Sequence, residues 1–298
     1  MSYERKQKRM TNSEKFEPKE KMKDIEGFPI RAIPERGISK ETCERFGVRV
    51  ALSPENGKEI ISVFFPYYDT KGKLCGWKKR DNLKDKNDHG HFSVIGKVGV
   101  DCKLFGQDVA ESVERKRKTL YQVEGEYDVL SAYEAMVKQV EGTKFEGMEP
   151  FVVGLSCGTA NASESVIHNA DFIKSFEELV LANDNDHASE QDRKKGIIRG
   201  AEANEVVAAT IMHPNTFCIQ YPAEYKDPSD MLQAGEGNAL AKLLQFGKKV
   251  FTAEKITTAE HFSIDDIIAD RPEGIYTTVF PKLDNKLHGF RPYELCVL

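Results

Sequence analysis

Three groups of carboxylates carry spacing that could do chemistry. They are Glu124–Gly125–Glu126–Tyr127–Asp128, then Asp184–Asn185–Asp186, then Asp227 within Lys226–Asp227–Pro228–Ser229–Asp230. Each stands just after a short apolar stretch: TLYQV (119–123), ELVLA (178–182) and TFCIQYP (216–222). Carboxylates brought close together repel one another unless a cation sits among them. An oxygen-only donor set suits Mg²⁺ or Mn²⁺ and disfavours zinc. Each group also has an ordinary reading. Glu126 and Asp128 would oppose a helix dipole, and Asp184–Asn185–Asp186 would make a polar turn. Whether the three groups converge decides between the readings.

The elements around them favour convergence. TLYQV reads as a strand, and the helical spacing of apolar residues predicts a helix over 128–140. FVVGLS (151–156) is a second strand, followed by a helix over Ala162–Phe176. ELVLA is a third strand, Glu190–Met212 a long helix, TFCIQYP a fourth strand, and Pro228–Leu232 opens a further helical turn. Such alternation argues for an α/β fold with a mainly parallel sheet flanked by helices. In an open parallel sheet the C-terminal strand ends line the crevice, so the carboxylates would meet at one edge. Ahead of this lies an α+β subdomain. Ser39 would cap a short helix over 40–46. EIISVFFPYYD (59–69) and KLCGWKKRDN (73–82) would form a hairpin about Thr70–Lys71–Gly72. The segment 81–92 reads as a polar loop. Four regions are expected: a disordered charged tail (1–26), the β-rich subdomain (27–117), the parallel-sheet domain (118–246), and a final segment (247–298) with a capping-box-like helix start at Ser263–Ile264–Asp265–Asp266.

The formal net charge of −5 excludes a generally basic surface, so any phosphate contact must be local. Three basic patches qualify: Lys73 with Lys78, Lys79, Arg80, Lys84 and Lys86; Arg115–Lys116–Arg117–Lys118; and Arg193, Lys194, Lys195 and Arg199. Solvated faces are the plainer reading of each. Trp77, with Tyr67 and Tyr68 near it, could stack bases beside the first patch or pack in a core. His89, Gly90 and His91 read as loop composition. The six cysteines are scattered, which fits neither a disulfide framework nor the paired spacing of a zinc ribbon. No apolar run reaches the roughly 20 residues that span a membrane, and the first ten residues lack the apolar middle of a signal peptide. A cytoplasmic protein without membrane contact is expected.

The order of EGExD and DxD elements over about residues 118–235 resembles the Toprim domain. A closer resemblance covers about residues 27–298. RGISKETC (36–43), LFG (104–106), VEGEYDVLS (123–131), LSCGTANA (155–162), DND (184–186) and KDPSDML (226–232) occur in this order in the primase–helicases of T-odd-like bacteriophages, relatives of the mitochondrial helicase Twinkle. The C-terminal TTVFPKLDNKLHGFRPYELCVL resembles their lead-in to a RecA-like helicase domain. The resemblance implies a DNA primase that joins NTPs on a single-stranded DNA template with Mg²⁺ or Mn²⁺. It implies metal ligands at Glu124, Asp184, Asp186 and Asp227, catalytic carboxylates at Glu124, Glu126 and Asp128, and nucleotide or DNA contacts from Lys78, Lys79, Arg80, Lys97, Gly158 and Lys226. Gly158 could instead serve a tight turn needing positive φ. A helicase domain and a replication polymerase are the implied partners, with ring assembly through the helicase domain. Two departures stand out. The sequence has no zinc-ligand spacing for the family's template-reading module, and it stops at Leu298 before any GxxxxGK[ST], so no helicase or ATPase activity is expected from it. The alternatives are a catalytically silent Toprim binding module of a replicative helicase, and a Toprim nuclease.

Overall fold

The computed structural model describes residues 20–84, 91–156, 158, 161–185, 199–251 and 282. The chain divides into two units, Met1–Phe251 and Thr252–Leu298. Of the second only Lys282 is described, so the expected helix at 263–266 and helicase lead-in lie outside the described residues, as does most of the expected tail. Residues Met22–Glu26, within that tail segment, form a short helix, α1, whose Ile25 is fully buried. Among the described residues no helix is long and apolar enough to cross a membrane.

The first sheet is antiparallel, in the order β1 (Arg49–Leu52), β2 (Ile60–Tyr68), β3 (Leu74–Asp81), β4 (Phe92–Gly96). β2 is rich in β-branched and aromatic residues, which pack well on a pleated surface. Asp69 Oδ1 closes the β2–β3 turn by accepting from the backbone N–H groups of Lys71 and Lys73, each at 2.9 Å. One face buries Val63, Phe65 and Tyr67 in the main core, and the other buries Phe64, Trp77 and Ile95 beneath Ile25 of α1. Ahead of β1, Ser39 caps α2 (Lys40–Arg45), its side chain accepting from the Thr42 N–H.

The second sheet runs β6 (Phe151–Gly154), β5 (Thr119–Val123), β7 (Glu178–Leu181), β8 (Thr216–Cys218), β9 (Lys249–Val250). The first four strands are parallel, and only β9 is antiparallel. Helices cover it: α3 (Gln107–Ser112), α4 (Glu126–Val140), α5 (Ala162–His168), α6 (Ala170–Lys174), α7 (Arg199–Ile211), α8 (Pro228–Gln233) and α9 (Gly237–Phe246). The mixed α/β architecture is the one expected. The helix expected over 162–176 is divided at Asn169, whose side-chain amide donates to the carbonyls of Ser165 and Cys102. β8 is shorter than expected: Ile219 N–H makes a last backbone bond to Leu181 O at 2.9 Å, and the Tyr221 hydroxyl then bonds Ala182 O at 2.8 Å.

Candidate functional site

The parallel register aligns Gln122, Leu181 and Cys218 across β5, β7 and β8. The segments leaving these three strands therefore emerge at one edge. Asp128 lies in the first turn of α4, Asp184 just beyond β7, and Asp227 at the N-cap of α8. Their carboxylate oxygens lie within 4.8 Å of one another. Asp128 Oδ2 accepts from Gly125 N–H at 3.1 Å, and Asp227 Oδ1 accepts from Asp230 N–H at 2.8 Å. Asn185 N–H donates to Lys226 O at 2.7 Å, tying the second acidic loop to the third. Beneath Asp184 runs a buried amide chain. Gln122 bonds Asn183 at 2.9 and 3.2 Å, and Asn183 donates to Asn204 on α7 at 2.8 Å.

The electrostatics follow from this crowding. Burial first, then the charges of Asp227 and Asp184, push Asp128 well above the ordinary carboxylate range. Burial also raises Asp227. Lys226 Nζ sits 2.8 Å from Asp184 Oδ2 and 3.9 Å from Asp227 Oδ2, offsetting part of the charge. Three clustered oxygen donors, Asp128 and Asp227 with raised proton affinity, form a set that a hard divalent cation fits, so Asp128, Asp184 and Asp227 could hold one.

The cleft around the triad has a volume of about 380 Å³, and Arg36, Arg80, Phe92 and Tyr127 give it a basic and aromatic lining as well. The guanidinium carbons of Arg36 and Arg80 lie 4.6 and 5.1 Å from the Tyr127 ring centroid. Arg36 also donates to Ser229 Oγ at 3.3 Å. Burial first, then the nearby Arg36, depress the pKa of Arg80; two guanidinium groups this close suit an anion between them. Burial pushes the Tyr127 phenol up to about 12, keeping it neutral.

Glu124 lines the cleft as expected by position. Glu126 also lines it, but its carboxylate is engaged: Oε1 accepts from Tyr67 Oη at 2.6 Å and pairs with Lys78 Nζ at 2.7 Å. It joins the two sheets and stands outside the triad. Asp128, expected as a catalytic carboxylate, is in the triad. Lys79 is a correction. It lies on the opposite face of β3 from Lys78 and Arg80, buried, paired with Glu20 at 2.6 Å and 5.7 Å from the Phe64 ring centroid. Strand alternation causes the reversal. Lys97 pairs with Asp101 on the surface and does not line the cleft. Gly158 adopts φ +68°, the conformation of the tight-turn alternative, with open space around it. Asp186 lies outside the described residues. Trp77 and Tyr67 are core residues. Arg36, His91 and Phe92 were not singled out as site residues; RGISKETC marked the Arg36 segment only by resemblance.

No family model matches the sequence. The chain is similar to the DNA helicase/primase of Enterobacteria phage T3, 29% identical over 153 residues, or 51% of this chain and 23% of that protein. The aligned stretch thus spans about a quarter of the relative's length. Among solved structures, the primase fragment of the bacteriophage T7 primase–helicase superposes with a TM-score of 0.54 at 23% identity, covering 72% of this chain and 74% of that one. T7 primase domains in an assembly with the lagging-strand DNA polymerase, an RNA/DNA hybrid and dTTP give 0.53 at 24% identity, covering 72% and 91%. The fold is that of the primase fragment of the T7 primase–helicase. In sequence the chain is similar to a phage DNA helicase/primase over about half of its own length.

Proposed function

We propose that this chain is the catalytic core of a DNA primase, a nucleotidyltransferase that makes short RNA primers on single-stranded DNA. The observation that carries the reading is one cleft lined by both a carboxylate triad, Asp128, Asp184 and Asp227, and the guanidinium groups of Arg36 and Arg80. In the proposed reaction a ribonucleotide 3′-hydroxyl attacks the α-phosphorus of an NTP. The new P–O bond forms as the bond to pyrophosphate breaks, and the hydroxyl proton leaves to a base.

Asp128, Asp184 and Asp227 would hold Mg²⁺ or Mn²⁺, with Asp186 as a further proposed ligand. When bound, the cation stabilises charge on the attacking and leaving oxygens. Glu124, in the same cleft, would add an oxygen donor or take up the hydroxyl proton. Arg80 and Arg36 would neutralise phosphate oxygens, Arg80 with a fork suited to bidentate contact. Lys78, paired with Glu126 on the same sheet face as Arg80, would add a point charge beside the cleft. The fold supports the single-stranded template and NTPs as substrates. The T3 relative's name and the T7 assembly support a helicase domain and a replication polymerase as partners.

The test is extension of a short supplied oligoribonucleotide on single-stranded DNA with labelled NTPs and Mg²⁺ or Mn²⁺. Extension that Asp184→Asn abolishes, with melting temperature retained, is the expected result. Asp184→Asn extending at the wild-type rate would remove the metal assignment. Absence of extension with DNA intact would point to a silent binding module, and cut DNA to a nuclease.

A further inference from the structure

The register of β3 and β4 places Phe92 opposite Arg80 and Val94 opposite Lys78. Residues directly opposite share a sheet face, so Phe92 stands on the face that carries Lys78 and Arg80. Its ring is 49% exposed, whereas Trp77, on the other face, is 3% exposed. Phe92 is therefore the aromatic that the basic wall presents outward. Arg80 and Lys78 lie 5.3 and 5.9 Å from its ring centroid. Cations at this distance hold the ring and leave their charged heads near whatever covers it.

His91 fixes the arrangement from behind. Its ring meets Phe92 edge-on, at 4.9 Å and 88°. It is buried, with Nδ1 2.9 Å from the carbonyl of Lys84. A carbonyl only accepts, so Nδ1 carries a proton and donates. His91, Arg36, Arg80 and Tyr127 line the acidic cleft and also a second cleft of about 590 Å³. The two clefts thus meet at the same four residues, with the arginine pair on the shared lining.

We infer that Phe92 is a stacking platform for one base of a single-stranded nucleic acid lying along these clefts, with Arg80 and Arg36 on its phosphates. The inference rests on the reading that the chain works on nucleic acid. It goes further in naming the residues that would hold a base rather than the backbone. An aromatic face tolerates any base, so the platform would grip without reading sequence.

The experiment compares the wild-type chain with Phe92→Leu and Phe92→Trp. Fluorescence anisotropy measures binding of a labelled single-stranded oligodeoxynucleotide and of an abasic oligomer with the same number of phosphates. The expected result is wild-type preference for the base-bearing strand. Phe92→Leu weakens that binding by about five-fold or more, the lower end for one stacked base, while binding to the abasic oligomer is unchanged and Phe92→Trp retains the preference. Equal binding of both oligomers by the wild type would overturn the inference, as would a Phe92→Leu variant that binds like the wild type. So would a variant that raises only the KM for NTPs, which would give the ring to the mononucleotide. Primer synthesis by the wild type is read separately. Base-dependent binding without synthesis would sink the primase reading and leave the platform standing, and synthesis without base-dependent binding would do the reverse.

Discussion

Lys226 Nζ lies 2.8 Å from Asp184 Oδ2, so the acidic site carries an ammonium of its own. The lysine side chain is 43% exposed and the aspartate 8%. A partly exposed pair of this kind contributes at most about 1 kcal/mol. Its further effect is to relieve repulsion among three carboxylates when no metal is bound. Lys226→Met should lower the melting temperature in EDTA by roughly 2–4 °C. The rise in melting temperature on adding Mn²⁺ should be larger than in the wild type, because the cation then relieves more repulsion. A smaller rise would mean that Lys226 supports the metal rather than standing in for it.

Gly200, at the start of α7, packs on the backbone of Asp184 so closely that an added Cβ would overlap the Asp184 carbonyl oxygen, with the Asp184 carbonyl carbon and nitrogen 2.6 and 2.8 Å away. These are backbone atoms and cannot rotate aside. Gly200→Ala should therefore move the segment that carries Asp184 out of the triad. Calorimetric titration with Mn²⁺ should show affinity reduced at least about ten-fold, the scale on which outer contacts of a metal site act. Unchanged affinity would show that α7 yields and Asp184 does not depend on it.

Glu134, two turns beyond Asp128 on α4, is 2% exposed and holds the segment around Ser39. It accepts from Ser39 N at 3.1 Å and Ser39 Oγ at 2.6 Å, accepts from Thr42 Oγ1, and pairs with Lys138 at 2.8 Å. Burial raises its pKa, but the bonds from Lys138, Ser39 and Thr42 outweigh burial and leave it below the ordinary value. A depressed carboxylate gives stability that is fully present above its unfolded pKa and is lost as pH falls through the folded one. Glu134→Gln should cost about 2 kcal/mol at neutral pH, since bonds to a charged acceptor are the strong ones. The gap between variant and wild type in urea melts should close as pH drops below the ordinary glutamate range. A gap constant with pH would show that shape, rather than charge, matters at this position.

The strand–helix alternation, the meeting of three acidic segments and the Ser39 cap were legible in the sequence because they rest on local periodicity and strand order. Which acid of the first group joins the triad was not. Glu126 and Asp128 are two residues apart on a helix, roughly 200° around its axis. One turns to Tyr67 and Lys78 of the antiparallel sheet, and the other to the strand ends. That choice depends on how α4 packs between the sheets, which no local pattern encodes. β4 escaped notice because Phe92 and Val94 are exposed on an edge strand, so its alternation does not separate core from solvent. His91 looked like loop composition because its neighbours are polar, yet contact with Phe92 buries it.

The alternation of β3 has a consequence for how this segment tolerates change. Trp77 and Lys79 point to the small core under α1, while on the other face Lys78 reaches Glu126 and Arg80 lines the cleft. A saturation scan across 77–80 should trace a sawtooth with a period of two residues. Odd positions would set how much folded protein a cell accumulates, and even positions would set what each folded molecule can do. Two selective pressures are threaded through adjacent residues of one strand, so lineages that diverge in this stretch would be expected to change every second residue together.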